Sequence, residues 1–186
     1  MLNPSKIKVM KRIREEYISI NKSPITKYGI LAGITDEDNY FQWRITLIGP
    51  KDTLYEGGVF ILYINFPDDY PNSKPEVFFR TPIYHVNVNP IKSNKPWAEP
   101  LGQVGISTLK YWKPDFTIKE VLTETFGLFY VTILDNLYVL EGFHEQRDNK
   151  TLHEEKIKYF TKKYANPATT DIDKEYFESW DFTYNK

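Results

Sequence analysis

Five prolines, Pro82, Pro90, Pro96, Pro100 and Pro114, fall between Thr81 and Pro114. Each fixes φ and removes a backbone donor, so this stretch can form neither a continuous helix nor a central strand. It divides the chain into a front part with strand patterning and a rear part with helical patterning. An irregular segment this long inside one domain faces function or a partner more often than it merely connects.

Ahead of the divide, Ile7, Met10, Ile13 and Tyr17 recur at three- and four-residue steps and predict an N-terminal helix with its Lys and Arg residues on the other face. Four short runs rich in β-branched and aromatic residues follow, at 29–34, 41–48, 59–66 and 76–80. In the second, Phe41, Trp43, Ile45 and Leu47 alternate with Gln42, Arg44 and Thr46, as in a half-buried antiparallel strand. Short turns between the runs predict a meander. Behind the divide, Ile118, Val121, Leu122, Phe126, Phe129, Ile133 and Leu137 keep one helical period, predicting a core helix through Leu137. Ile157, Phe160 and Tyr164 predict a last helix over about Leu152–Tyr164. Helix, sheet, long loop and helices make an α+β domain.

Composition bounds the chemistry. Acidic and basic residues nearly balance, at 25 and 24, which argues against binding nucleic acid through bulk charge. No apolar run is long enough for a membrane span. The chain contains no cysteine, so disulfides, thiolate metal sites and thiol nucleophiles are excluded. His85, His144 and His153 are too scattered in sequence to suggest a metal site, and Gly57-Gly58 sits in a strand turn, not a phosphate loop. No metal and no cofactor are expected.

Against this background several strings stand in a telling order: Trp43, Gly49-Pro50, Thr53, Tyr55-Glu56-Gly57-Gly58, Phe66-Pro67, Tyr70-Pro71, Pro75, His85-Val86-Asn87, Trp112-Lys113-Pro114 and Lys162-Lys163-Tyr164-Ala165. Together they resemble the ubiquitin-conjugating enzyme family over roughly residues 5–166. The resemblance implies an N-terminal helix, a four-stranded antiparallel meander, an active-site-like loop and C-terminal helices. Residues 1–166 are expected to form that domain, with 167–186 as a separate acidic, aromatic tail.

In the family, a cysteine receives ubiquitin as a thioester. The frame around that cysteine matches Gly102-Gln103-Val104-Gly105-Ile106, which puts Gly105 at the catalytic position. Glycine has nothing to acylate. Ser107 and Thr108 are near, but their hydroxyls are far weaker nucleophiles than a thiolate and need an adjacent base. His85 reads as the structural histidine of the family's His-Pro-Asn motif, and Asn87 as its oxyanion-supporting asparagine. Gly105, His85 and Asn87 are therefore expected to be vestigial, with neither a thioester nor an oxyester formed.

Other departures concern surfaces. The 20 positions from His85 to Gly105 exceed the family's spacing, and the added stretch at about 91–100 carries Trp97, a candidate partner anchor. Asn72 and Asp115 stand where the family's ligase-contact loops are commonly apolar or small, and Lys113 lies beside Asp115. The tail sets Asp171, Asp173, Glu175, Glu178 and Asp181 among Tyr176, Phe177, Trp180, Phe182 and Tyr184. Such aromatics either fold back on the domain or dock onto a partner, and Tyr176, Phe177 and Trp180 are the tail's candidate contacts.

The expected function is a non-catalytic protein-binding or structural subunit of a larger assembly. The alternative is a variant that binds ubiquitin or an active conjugating enzyme and regulates transfer. Cytoplasm or nucleus is the expected compartment. The basic amphipathic start also imitates a mitochondrial presequence, which leaves the mitochondrion as an alternative.

Overall fold

The computed structural model describes residues 4–36, 39–90 and 101–166. Trp97, the inserted stretch 91–100 and the tail candidates Tyr176, Phe177 and Trp180 lie outside the described residues.

The chain begins with α1 (Pro4–Asn21) and a 3₁₀ turn (Pro24–Tyr28). Strands β1 (Ile30–Asp36), β2 (Asn39–Ile48), β3 (Val59–Asn65) and β4 (Glu76–Phe79) follow. They form one sheet in sequence order, every pair antiparallel, so the predicted meander is the observed one. Trp43, Ile45 and Leu47 of β2 are completely buried, while Gln42, Arg44 and Thr46 remain partly accessible. The alternation read from sequence is thus the burial pattern of a strand with one face on the core. Against that face pack Val9, Ile13 and Ile20 of α1, and Ile118, Val121 and Leu122 from the rear half.

Three expectations need correction. Ile7 is 53% exposed and Val9 takes its place inside; the inward stripe runs Val9, Ile13, Glu16, Ile20, so it passes through a carboxylate that hydropathy counts as polar. Tyr164, expected inward on the last helix, is only half-buried and stacks on buried Phe160. The core helix also stops early. After the short α2 (Ser107–Lys110), α3 covers only Ile118–Gly127. Its start is a reciprocal capping box between Thr117 and Glu120. Beyond Gly127, Leu128, Phe129 and Tyr130 make tight three-residue turns. Phe129, Ile133 and Leu137 keep a helical period, but the backbone at Ile133 and Asn136 is captured by a side chain from elsewhere. Two further helices, α4 (Leu140–Asp148) and α5 (Lys150–Tyr164), close the domain; α4 has no distinct signal in the hydrophobic pattern.

Glu16 joins the two halves. Its carboxylate accepts from Tyr70 Oη at 2.7 Å, from the backbone N of Ile118 at 2.6 Å and from Arg12 Nε at 2.5 Å. A negative group at the first turn of α3 also complements the helix dipole. Burial and the neighbouring Glu16 charge push the Tyr70 hydroxyl well above the ordinary phenol range, so it stays a donor. Replacing the carboxylate by an apolar group strands Tyr70 Oη and Ile118 N. Glu16→Leu is expected to lose about 3 kcal/mol of unfolding free energy, with a smaller loss for Glu16→Gln, measured by urea denaturation. Equal losses in the two variants would show that packing, not the hydrogen bonds, sets the cost.

Candidate functional site

The residues that the resemblance places at the active site are brought together by a small ribbon. Gly102 donates its N–H to Asn89 O at 2.7 Å, Asn89 N–H donates to Gln103 O at 3.0 Å, and Val104 N–H donates to Val77 O at 3.0 Å. The segment 102–104 therefore lies between β4 and residues 87–89. Gly102 has φ +81°, and a Cβ there would stand 2.1 Å from Phe79 O. Only glycine lets the ribbon lie so close to β4.

Gly105 follows, with its N–H donating to Asn87 O at 2.7 Å. A Cβ built at this glycine would meet Asn136 O at 2.6 Å, Tyr138 Cε2 at 3.0 Å and Asn87 O at 3.1 Å. Two of those atoms belong to the backbone. The space into which a side chain at 105 would project is occupied by the segment after α3.

Asn87 holds that segment in place. Its Nδ2 donates to Ile133 O at 2.6 Å and to Asn136 O at 2.7 Å, and its Oδ1 accepts from Ile133 N at 2.9 Å. Tyr138 N–H and Val139 N–H both donate to Val86 O. Asn87 is 0% exposed, and its carboxamide is committed to the roof over Gly105. As arranged, it presents no free donor to an oxyanion.

His85 is equally committed. Its Nδ1 accepts from the backbone N of Asn87 at 3.0 Å, which leaves the proton on Nε2, 3.0 Å from Leu128 O. Burial pushes the imidazole down to about 4, against the raising effect of the bond to Leu128. It is a neutral structural bracket between the 85–87 turn and the end of α3. His153 lines the same cavity of about 150 Å³; its Nδ1 lies 3.4 Å from Glu145 Oε1. Glu145 also pairs with Lys156 and accepts from Tyr84 Oη. Among the described residues no group of three or more ligating side chains could hold a metal ion, and no helix is long and apolar enough to cross a membrane.

Ser107 and Thr108, the nearest hydroxyls, open α2. The backbone N–H groups of both residues donate to the Glu124 carboxylate at 2.9 Å, and the Thr108 hydroxyl donates to it as well. Glu124 is a side-chain clamp on α2. Nothing in the hydrophobic pattern distinguishes it from a surface acid of α3.

The two surface loops come together elsewhere. Trp112 Nε1 donates to Pro71 O at 2.8 Å, and its ring packs between Tyr70 and Phe116. Asn72, Lys113 and Asp115 are exposed on these two loops. Asn136 and Tyr138, which cover Gly105, have no assignable role in the sequence, because their proximity to it exists only in three dimensions.

His85 contributes to the acid dependence of stability. Its pKa in the fold lies below the ordinary 6.5, so the unfolded chain takes up the proton first. Stability from the neutral ring is complete above about pH 6.5 and falls by up to about 1.4 kcal/mol per pH unit as pH drops toward 4. His85→Gln cannot titrate. The stability gap between wild type and this variant should narrow from pH 7.5 to pH 4.5 in urea titrations, and a constant gap would assign the acid loss to other groups.

The family profile described as "Ubiquitin-conjugating enzyme" matches residues 12–161, and the chain belongs to that family.

Proposed function

We propose that this member of the ubiquitin-conjugating enzyme family is non-catalytic and serves as a protein-binding or structural subunit of a larger assembly. The observation that carries the reading is the occupied space at Gly105. The family's chemistry needs a thiolate with room for an acyl group, and here both sulfur and room are missing. The retained strands and C-terminal helices keep a family-like shape available for docking.

The surfaces support a binding role. Within the stretch that roofs Gly105 and enters α4, Leu134 and Leu140 are each more than 60% exposed. Apolar side chains of that size in one stretch favour a protein partner. The polar Asn72 and acidic Asp115 disfavour ordinary ligase docking, because an apolar contact would desolvate them without compensation. The alternative, a variant that orients ubiquitin or an active conjugating enzyme, fits less well: such variants usually lack C-terminal helices, and α4 and α5 are present here.

The charging reaction tests the non-catalytic reading. With activating enzyme, ATP and ubiquitin, the wild type is expected to form no adduct on a non-reducing gel. Gly105→Cys, confirmed folded by circular dichroism, is expected to stay uncharged, and its thiol to react with an aromatic disulfide reagent only after unfolding. Gly105→Ala should lose about 1–3 kcal/mol, because the methyl group displaces the Asn136 backbone. A stable adduct on the wild type would overturn the reading, and charging of Gly105→Cys would remove its steric basis.

Affinity purification from the native source, with native sizing, then separates the two binding roles. Recovery at fixed stoichiometry in an assembly free of conjugation machinery supports a structural subunit. Recovery with ubiquitin and an active conjugating enzyme supports the regulatory variant.

A further inference from the structure

Two cavities border α5 on the side that carries its buried His153, Ile157, Thr161 and Ala165. Beside its C-terminal half lies a groove of about 440 Å³, lined by Lys158, Thr161, Lys162 and Ala165 on one side and by the loop Thr53–Gly58 on the other. Leu54 also lines the cavity beside the N-terminal half, where Lys150, His153, Glu154 and Ile157 meet the exposed Tyr130 and Val131. The two share Leu54 and together outline a trough from Asn166 to the exposed Tyr130 and Val131, with Glu56 the one acid on its loop side. Lys158 and Lys162 are exposed, one helical turn apart, and have no ion-pair partner among the described residues.

We propose that the chain's own segment 167–186 occupies this trough, running back along α5. Three features select it over another occupant. The first is position, because the segment leaves Asn166 at the open end. The second is charge. The segment carries five acids against two lysines, while the remaining 166 residues carry 22 basic and 20 acidic residues.

The third is length. Helix α5 has 15 residues, about 23 Å at the usual rise, and an extended chain covers that in about seven residues. After a short reversal, Asp171, Asp173 and Glu175 pass Lys162 and Lys158, and Tyr176, Phe177 and Trp180 arrive at the margin formed by Tyr130 and Val131. The acids thus meet the lysines and the aromatics meet the apolar end. This assignment is independent of the non-catalytic reading.

Spin labels on the full chain test it, with no native cysteine to interfere. One label is placed at Asp148→Cys, beside the N-terminal end of α5, and the other at Ser179→Cys. Docking gives a narrow distance distribution within about 25 Å, whereas a freely sampling segment gives a broad one centred near or beyond about 30 Å. Lys158→Glu with Lys162→Glu should broaden the distribution, and so should serine at Tyr176, Phe177 and Trp180. Lys158 and Lys162 are exposed, and circular dichroism confirms the fold of each variant. A broad distribution in the labelled parent overturns the proposal, as does a narrow one unmoved by both sets of substitutions. A short distance appearing between singly labelled molecules also overturns it, in favour of a second copy.

Discussion

The Asn87 carboxamide is the constraint on which the centre of this molecule depends. Two donors and one acceptor on a single side chain bind Ile133 and Asn136, and its own backbone oxygen receives the Gly105 amide. A completely buried amide must have such partners, because leaving it unpaired costs a large part of its hydration energy. Once the partners are the backbone of 133–136, that segment cannot continue α3 as a helix. It must pass over Gly105, and it delivers the chain to α4 beside the 84–86 turn. The closure over residue 105 and the approach to α4 are thus two consequences of one set of hydrogen bonds.

Carboxylates do comparable work at the other junctions. Glu16 receives a phenol, a guanidinium and the first amide of α3, so it ties the N-terminal helix and the Tyr70 loop to the rear half. Glu124 receives the opening amides of α2. Both side chains sit near helix starts, where unpaired N–H groups and the dipole favour negative charge. The sheet supplies a rigid apolar platform, and these polar clamps decide how the segments around it are arranged. That division leaves His85, Asn87 and Glu124 engaged in structural hydrogen bonds, while exposed polar and apolar features lie on the outside.

Much of the fold was legible because it rests on periodicity. Trp43, Ile45 and Leu47 announce a half-buried strand, and Ile118, Val121 and Leu122 announce a helix face, since burial on one side of a regular element repeats at that element's period. The absence of a thiol was legible for a simpler reason, as a residue type is either present in a chain or absent. Ile7 and the run to Leu137 misled because periodicity reports which residues could share a face. It does not report whether the backbone is free to form the helix, or whether a carboxylate such as Glu16 has been drawn inside by partners distant in sequence.

The sequence by itself determined the α+β order of elements, the family and the absence of a thiol. These follow from local patterning, ordered motifs and composition, and none needs a long-range contact. Only the tertiary structure decided that residue 105 is enclosed and that the side-chain nitrogens of His85 and Asn87 are engaged by backbone groups. It also decided that two adjoining cavities beside α5 carry Lys158 and Lys162 at their edge. Each of those depends on groups far apart in the chain meeting within hydrogen-bond or van der Waals distance. Asn136 O stands where a side chain at 105 would begin because a buried amide at position 87 required partners.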